Sequence, residues 1–142
     1  MKREEIATNT YNSGYNCAQS VISSFVGEQY LDMKTALKLS SCFGGGMRMG
    51  ATCGALTGAL MVLGLEKGYS EYSPEAKAEI DARCISLIDS WKKEIGRTDC
   101  REILGVDVSD PHAREQARDD GLFEEHCPHC IRTAVRLLEK IL

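Results

Sequence analysis

The chain has 142 residues, 43% apolar and 27% charged, with 17 Lys and Arg against 21 Asp and Glu for a formal charge of −4. A length within about 100–200 residues predicts one domain spanning 1–142, and the acidic balance argues against a nucleic-acid partner, whose binding is driven mainly by phosphate neutralisation. The outlying number is cysteine, seven in all: Cys17, Cys42, Cys53, Cys84, Cys100, Cys127 and Cys130.

From the amino terminus, MKREEIATNT is charged and polar, with no apolar core or small-residue cleavage site of the kind that directs export. The thiols are therefore expected in a reducing cytoplasmic setting, where they serve catalysis, redox sensing or metal binding more often than structural disulfides. Asn16 and Gln19 stand at the two positions of a capping box, which predicts a helix from Cys17, with Ala18, Val21, Ile22, Phe25 and Val26 as its apolar stripe. Asp32 can cap a second helix running through Cys42, which the triplet Gly44-Gly45-Gly46 is expected to end. A third helix is expected from Gly50 or Ala51 through CGALTGALMVLGLEKG. Its uncharged run, Met49 to Leu65, holds 17 residues. That is the short limit of the roughly 17–25 that span a bilayer, and its Gly, Thr and Cys content reads as a buried helix, not a membrane partner.

Ser73-Pro74 signals the longest helix, with Ile80, Cys84, Leu87, Ile88, Trp91 and Ile95 as its buried face and Gly96 as its stop. Thr98 can cap a short helix closed by Gly105, and Asp110-Pro111 starts another within a polar connection. Cys127-Pro128 is read as opening the last helix, with Ile131, Ala134, Val135, Leu138, Ile141 and Leu142 on one stripe. No run alternates like a strand, so the expected fold is all-α, a compact bundle of about six or seven helices.

Read against these caps, Cys17, Cys53, Cys100 and Cys127 all fall at helix starts, where free amides and a partial positive charge favour a thiolate. Cys84 lies on a core stripe and reads as a small hydrophobe. Cys42 either lines the same site as Cys53 or packs. Cys127 and Cys130 lie in the string HCPHC, flanked by His126 and His129. The string admits a dithiol couple with Cys127 attacking and Cys130 resolving, although such couples usually follow a strand. It also admits a zinc half-site with one histidine, for which no second CxxC or HxxxH completes the tetrahedron. The loop CFGGGMRMG lacks the order of a phosphate loop. Its glycines let a backbone approach a bound group, so Gly44, Gly45, Gly46, Arg48 and Gly54 are the candidate cofactor-binding positions, with Arg48 balancing negative charge. Met47 and Met49 are read as packing residues in preference to thioether ligands.

The order of GYNCAQ at Gly14 to Gln19, FGGGMRMG, CGALTG at Cys53 to Gly58, Cys100 and Cys127-Pro128 resembles the C-GCAxxG-C-C family of redox-active proteins. The resemblance covers nearly the whole chain and implies a helical redox-active or cluster-binding domain whose four characteristic cysteines fall on Cys17, Cys53, Cys100 and Cys127. Cys42, Cys84 and Cys130 are extra to the pattern. The expectation is an iron–sulfur cluster, most simply [2Fe–2S], on those four thiolates, serving electron transfer or redox sensing with a redox partner protein. The alternatives are a metal-free dithiol oxidoreductase or sensor, pairing Cys127 with Cys130 or with the distant Cys17 or Cys53, and a structural zinc or interaction domain. No Ser-His-Asp order, HExxH pair or paired carboxylates point to hydrolysis, and the apolar stripes of the terminal helices are compatible with a homodimer.

Overall fold

In the computed structural model, which describes residues 1–26 and 31–142, every named element is helical. Among the described residues there are eight α-helices: α1 (Arg3–Asn12), α2 (Cys17–Ser23), α3 (Met33–Leu39), α4 (Gly54–Lys67), α5 (Pro74–Ile95), α6 (Cys100–Leu104), α7 (Pro111–Asp119) and α8 (Leu122–Ile141). A wide turn, Gly46–Gly50, makes a ninth helical segment, so the all-α expectation holds while the count exceeds the expected six or seven. The additional helix is α1. Its sequence, REEIATNTYN, carries little amphipathic pattern, and only Ala7 is fully buried. Packing against α2 and α8 holds it in place, and such contacts are not legible in local periodicity.

Local signals placed most helix starts correctly. Asn16 accepts from the Gln19 amide at 2.8 Å while the Asn16 amide donates back to Gln19 Oε1 at 3.0 Å, the complete capping box ahead of α2. Asp32, Ser73 and Asp110 cap α3, α5 and α7 through the amides of Thr35, Ala76 and Ala113. Gly96 and Gly105 end α5 and α6 with φ of 86° and 79°.

Three boundaries differ by more than one residue. The second expected helix stops at Leu39, well before the glycine triplet, where the Ser40 hydroxyl turns back onto the Ala36 carbonyl at 2.8 Å; Cys42 is left in an exposed turn. The third begins at Gly54 in place of Gly50 or Ala51, because residues 51–53 are drawn into an antiparallel bridge between Thr52 and Asp99. The last begins at Leu122, after Gly121 at φ 72°, which puts Cys127 and Pro128 inside α8 instead of at its start. Leu122 and Phe123 pack against buried Leu104, Val108 and Ala117, and this anchors the extra turns. Pro128 then costs α8 one hydrogen bond, the one its missing amide would have given the Glu124 carbonyl.

The core forms in two parts. The larger gathers Val21 and Ile22 of α2, Leu56, Ala59, Val62 and Leu63 of α4, Leu87 and Trp91 of α5, and Ile131, Ala134, Val135 and Leu138 of α8. On α5 only Leu87 and Trp91 are fully buried; Ile80, Cys84, Ile88 and Ile95 are half-buried, and Cys84 stands outside the core cluster. On α8, Ile141 is half-buried and Leu142 exposed, so the expected stripe frays at its end. The smaller part gathers Leu104, Val108 and Ala117, with Cys100, Phe123 and Cys127 packed against it. No helix among the described residues is long and apolar enough to cross a membrane.

Candidate thiol site

A cavity of about 420 Å³ opens at the seam between the two core parts, and five of the seven cysteines border it: Cys17, Cys53, Cys100, Cys127 and Cys130. Each arrives by a separate local device. Cys17 is the first residue of α2, and its cap also ties down the neighbouring chain, since Asn16 Nδ2 donates to the carbonyls of Ser40 and Ser41 at 3.2 and 3.1 Å. Cys53 and Cys100 are brought side by side by the bridge: the Cys53 amide donates to Thr98 O at 2.7 Å and the Cys100 amide to Ala51 O at 2.6 Å. Cys53 is the cap residue of α4 and Cys100 the first residue of α6, with Asp99 in the cap position expected for Thr98. Cys127 and Cys130 lie one turn apart on one face of α8.

On the wall of this cavity Cys17 and the Tyr11 hydroxyl of α1 neighbour Cys127, and Cys130 neighbours Cys53. The electrostatics follow from this arrangement. Hydrogen bonds donated by Cys17 and then Tyr11 hold Cys127 below the ordinary thiol value, against the opposing effect of burial. Its partner pays the complementary shift: the same bond to Cys127, then burial, holds Cys17 well above that value. Cys130 and burial do the same to Cys53, and burial pushes Cys100 up to about 12. Burial and the neighbouring Cys127 raise Tyr11 as well. Of these thiols, Cys127 is the one whose surroundings ease ionisation, while Cys17, Cys53 and Cys100 are held protonated. Cys127, which lies in mid-helix, is stabilised as an anion by side-chain donors and not by the helix-start amides expected for it.

Of the candidate cofactor-binding positions, Gly44, Gly45, Arg48 and Gly54 border the cavity. Gly46 does not: it is pressed against the Ala51 backbone, where a Cβ would overlap the carbonyl, and its role is to close the turn. Gly54 lets α4 approach α2, with an added Cβ only 3.3 Å from Cys17 Cβ. Cys42 is exposed and Cys84 half-buried, both outside the cavity. His126 and His129 line a separate pocket of about 280 Å³ beyond Cys130. Tyr11, Arg114, Arg118 and Glu124 are among the further residues that border the cavity. Nothing local marks them, although the three-residue spacing of Cys127 and Cys130 did announce a shared face.

No three His, Cys, Asp or Glu side chains among the described residues converge as a single metal ion would require.

The raised thiols make stability depend on alkaline pH. In unfolded chain a thiol ionises near about 8.5, whereas Cys17 and Cys53 stay protonated well above 9.0 and Cys100 to about 12 in the fold. Their contribution is complete below the unfolded value and is lost as pH rises toward the folded ones. Cys127 has the opposite sign: its contribution is present above the unfolded value and lost as pH falls through its depressed one. Reduced, metal-free protein should show a Tm lower by roughly 5–10 °C at pH 11 than at pH 8. Thermal unfolding followed by circular dichroism, with reductant and chelator present, checks this; an unchanged Tm would mean the thiols are not held protonated.

Fold and site together define a class: an all-helical, cysteine-rich domain that gathers thiols from distant parts of the chain around one cavity. A family-wide profile described as "Putative redox-active protein (C_GCAxxG_C_C)" matches residues 15–141. The chain belongs to this redox-active family. No curated protein and no solved structure matches it.

Proposed function

We propose that the protein is a thiol–disulfide redox protein in which Cys127 is the attacking sulfur and Cys17 the resolving one. The observation that carries this reading is the convergence of the Cys17 thiol and the Tyr11 hydroxyl on Cys127. The Cys127 thiolate attacks one sulfur of a disulfide substrate; a mixed disulfide forms, the substrate bond breaks, and one substrate thiolate leaves. Cys17 then loses its proton and attacks Cys127 Sγ. The mixed disulfide breaks, a Cys17–Cys127 bond forms, and the second substrate thiol leaves with the proton from Cys17. Two electrons pass from the protein dithiol to the substrate, and the reverse sequence oxidises a dithiol. A reducing compartment such as the cytoplasm would keep the remaining thiols free. Tyr11 is a positioning residue, holding the thiolate without exchanging a bond. The pairing of Cys53 with Cys130 favours Cys17, not Cys130, as the resolving partner of Cys127.

The test is to treat fully reduced protein with one equivalent of a small disulfide under anaerobic conditions and to map bridges by mass spectrometry. A Cys17–Cys127 bridge as the main product is expected. A main bridge between Cys127 and Cys130, or none, overturns the reading.

A second reading is an iron–sulfur cluster held by Cys17, Cys53, Cys100 and Cys127, favoured by one observation: these four residues, distant in sequence, border the same cavity. When bound, the cluster would supply one-electron transfer to a partner protein. Anaerobic purification followed by iron analysis and visible and paramagnetic spectra tests it. Brown, iron-containing protein that loses iron in each single Cys→Ser variant supports the cluster; colourless, iron-free protein removes it.

A further inference from the structure

Three arginines border the cavity. Arg114 and Arg118 lie one turn apart on α7, and Arg48 comes from the Gly46–Gly50 turn. None of the three makes an ion pair among the described residues, whereas Arg3, Arg83, Arg101 and Arg136 all do. Among the described residues, Glu124 is the one acidic side chain on the cavity wall. In a chain with a formal charge of −4, three arginines border the cavity that Cys127 also lines.

Arg48 is held there by an unusual backbone. Gly45, Gly46, Met47 and Arg48 follow one another with φ of 60°, 62°, 59° and 60°, a left-handed turn that residues with a side chain rarely enter. The turn folds the Arg48 side chain back over Gly45, its Nη1 3.8 Å from the point where a Cβ on Gly45 would stand. Met47 and Arg48 adopt this conformation without glycine's freedom, so the surrounding structure must enforce it. A turn that merely joined α3 to α4 would not need it.

The size of the space narrows the partner. A cavity of about 420 Å³ lies within the roughly 300–1,000 Å³ of small-molecule sites. Cys127 is half-buried at its wall, so its sulfur is reached from within the cavity. Guanidinium groups bind carboxylates and phosphates through paired N–H donors.

We propose that the oxidised substrate of this site is a low-molecular-weight disulfide bearing carboxylate or phosphate groups, which Arg48, Arg114 and Arg118 hold while Cys127 attacks the disulfide sulfur. The inference rests on the thiol–disulfide reading and adds the substrate class. The electron balance is the one already given, with the anionic disulfide as oxidant and two anionic thiols as products.

The test compares the rate of Cys17–Cys127 bridge formation with four disulfides: cystamine, which is cationic; hydroxyethyl disulfide, which is neutral; dithiodipropionate, with two carboxylates; and the disulfide of mercaptoethyl phosphate, with two phosphates. Each rate is divided by that of the same disulfide with a simple free thiol. The normalised rate should be about tenfold or more higher for an anionic disulfide than for cystamine, and the advantage should shrink in high salt. The two anionic arms report whether carboxylate or phosphate is preferred. In Arg114→Gln/Arg118→Gln, and separately in Arg48→Asn, chosen because Asn tolerates the left-handed region, the ratio should collapse toward one. Circular dichroism verifies that each variant is folded.

Alkylation of Cys127 by iodoacetate against iodoacetamide, read by mass spectrometry, separates failure of this inference from failure of the redox reading, because it needs only a reactive thiol. An iodoacetate preference that depends on the arginines, with no reaction toward any disulfide, overturns the redox reading and with it the disulfide substrate, leaving an anion site. Equal normalised rates for all four disulfides, an unchanged ratio in the arginine variants, or reaction confined to a protein disulfide overturns the anionic small-molecule substrate while the Cys17–Cys127 couple stands.

Discussion

A Cys17→Ser protein, exposed to a small disulfide, should accumulate as a mixed disulfide at Cys127 instead of releasing both halves of its substrate. The hydroxyl of serine cannot displace a thiol at neutral pH, so the second step stops while the first continues. Intact mass should increase by one substrate half, located by digestion to the peptide carrying Cys127. The first step should also slow, because the thiol that lowers the Cys127 pKa is now a hydroxyl of different length. Cys127→Ser removes the attacking sulfur itself, and turnover should fall by about 10³-fold or more, as for loss of other covalent nucleophiles. If Cys17→Ser instead turns over normally and forms a Cys127–Cys130 bridge, the CPHC string is the couple and the proximity of Cys17 is incidental.

The second large effect is expected at Gly58, where a single methyl should reach the thiols through the packing. A Cβ on Gly58 would stand 2.9 Å from the Ala18 carbonyl oxygen and 3.1 Å from Ala18 Cα, so α2 would have to move away from α4. Both contacts are backbone and cannot rotate aside. Overpacking of this kind costs about 1–3 kcal/mol, against a gain of roughly 1 kcal/mol from replacing glycine within a helix. Gly58→Ala should therefore lower Tm by a few degrees. Gly64→Ala, on the same helix with nothing within 4 Å of its added methyl, should raise it slightly. Since Ala18 follows Cys17 directly, the displacement at Gly58 should also slow Cys17–Cys127 bridge formation by about tenfold, in keeping with the sensitivity of near-attack geometry to shifts of an ångström. Two variants moving Tm in the same upward direction would refute the close-packing role of Gly58.

Much of the fold follows from short-range rules. Asn16 with Gln19, Asp32, Ser73-Pro74 and Asp110-Pro111 each begin a helix because the groups that satisfy a first turn lie within three residues of the cap. Where a long-range contact competes, those rules fail. Pro128 resembles a helix start, yet α8 extends back to Leu122 because Leu122 and Phe123 have a hydrophobic surface to cover. Ala51 to Cys53 sit beside an apolar helical run, yet they pair with Thr98 to Cys100, and the helix begins only after that bridge.

The same division applies to the site. The amino-acid sequence by itself determined that the protein is helical, that it is rich in cysteine, and that Cys17, Cys53 and Cys100 stand at helix starts, since caps and apolar periods are local properties of the chain. Only the tertiary structure decided which sulfur neighbours which. The pairing of Cys17 with Cys127 depends on α1, α2 and α8 meeting, and that of Cys53 with Cys130 on α4 packing against α8. It also recruited Tyr11 from a helix without a sequence signal and placed Arg48, Arg114 and Arg118 around the cavity. Hydrogen bonds and Coulomb forces act across a few ångströms of space regardless of separation along the chain. The lowered pKa of Cys127 is therefore a property of the assembled helices, which the HCPHC string alone does not carry.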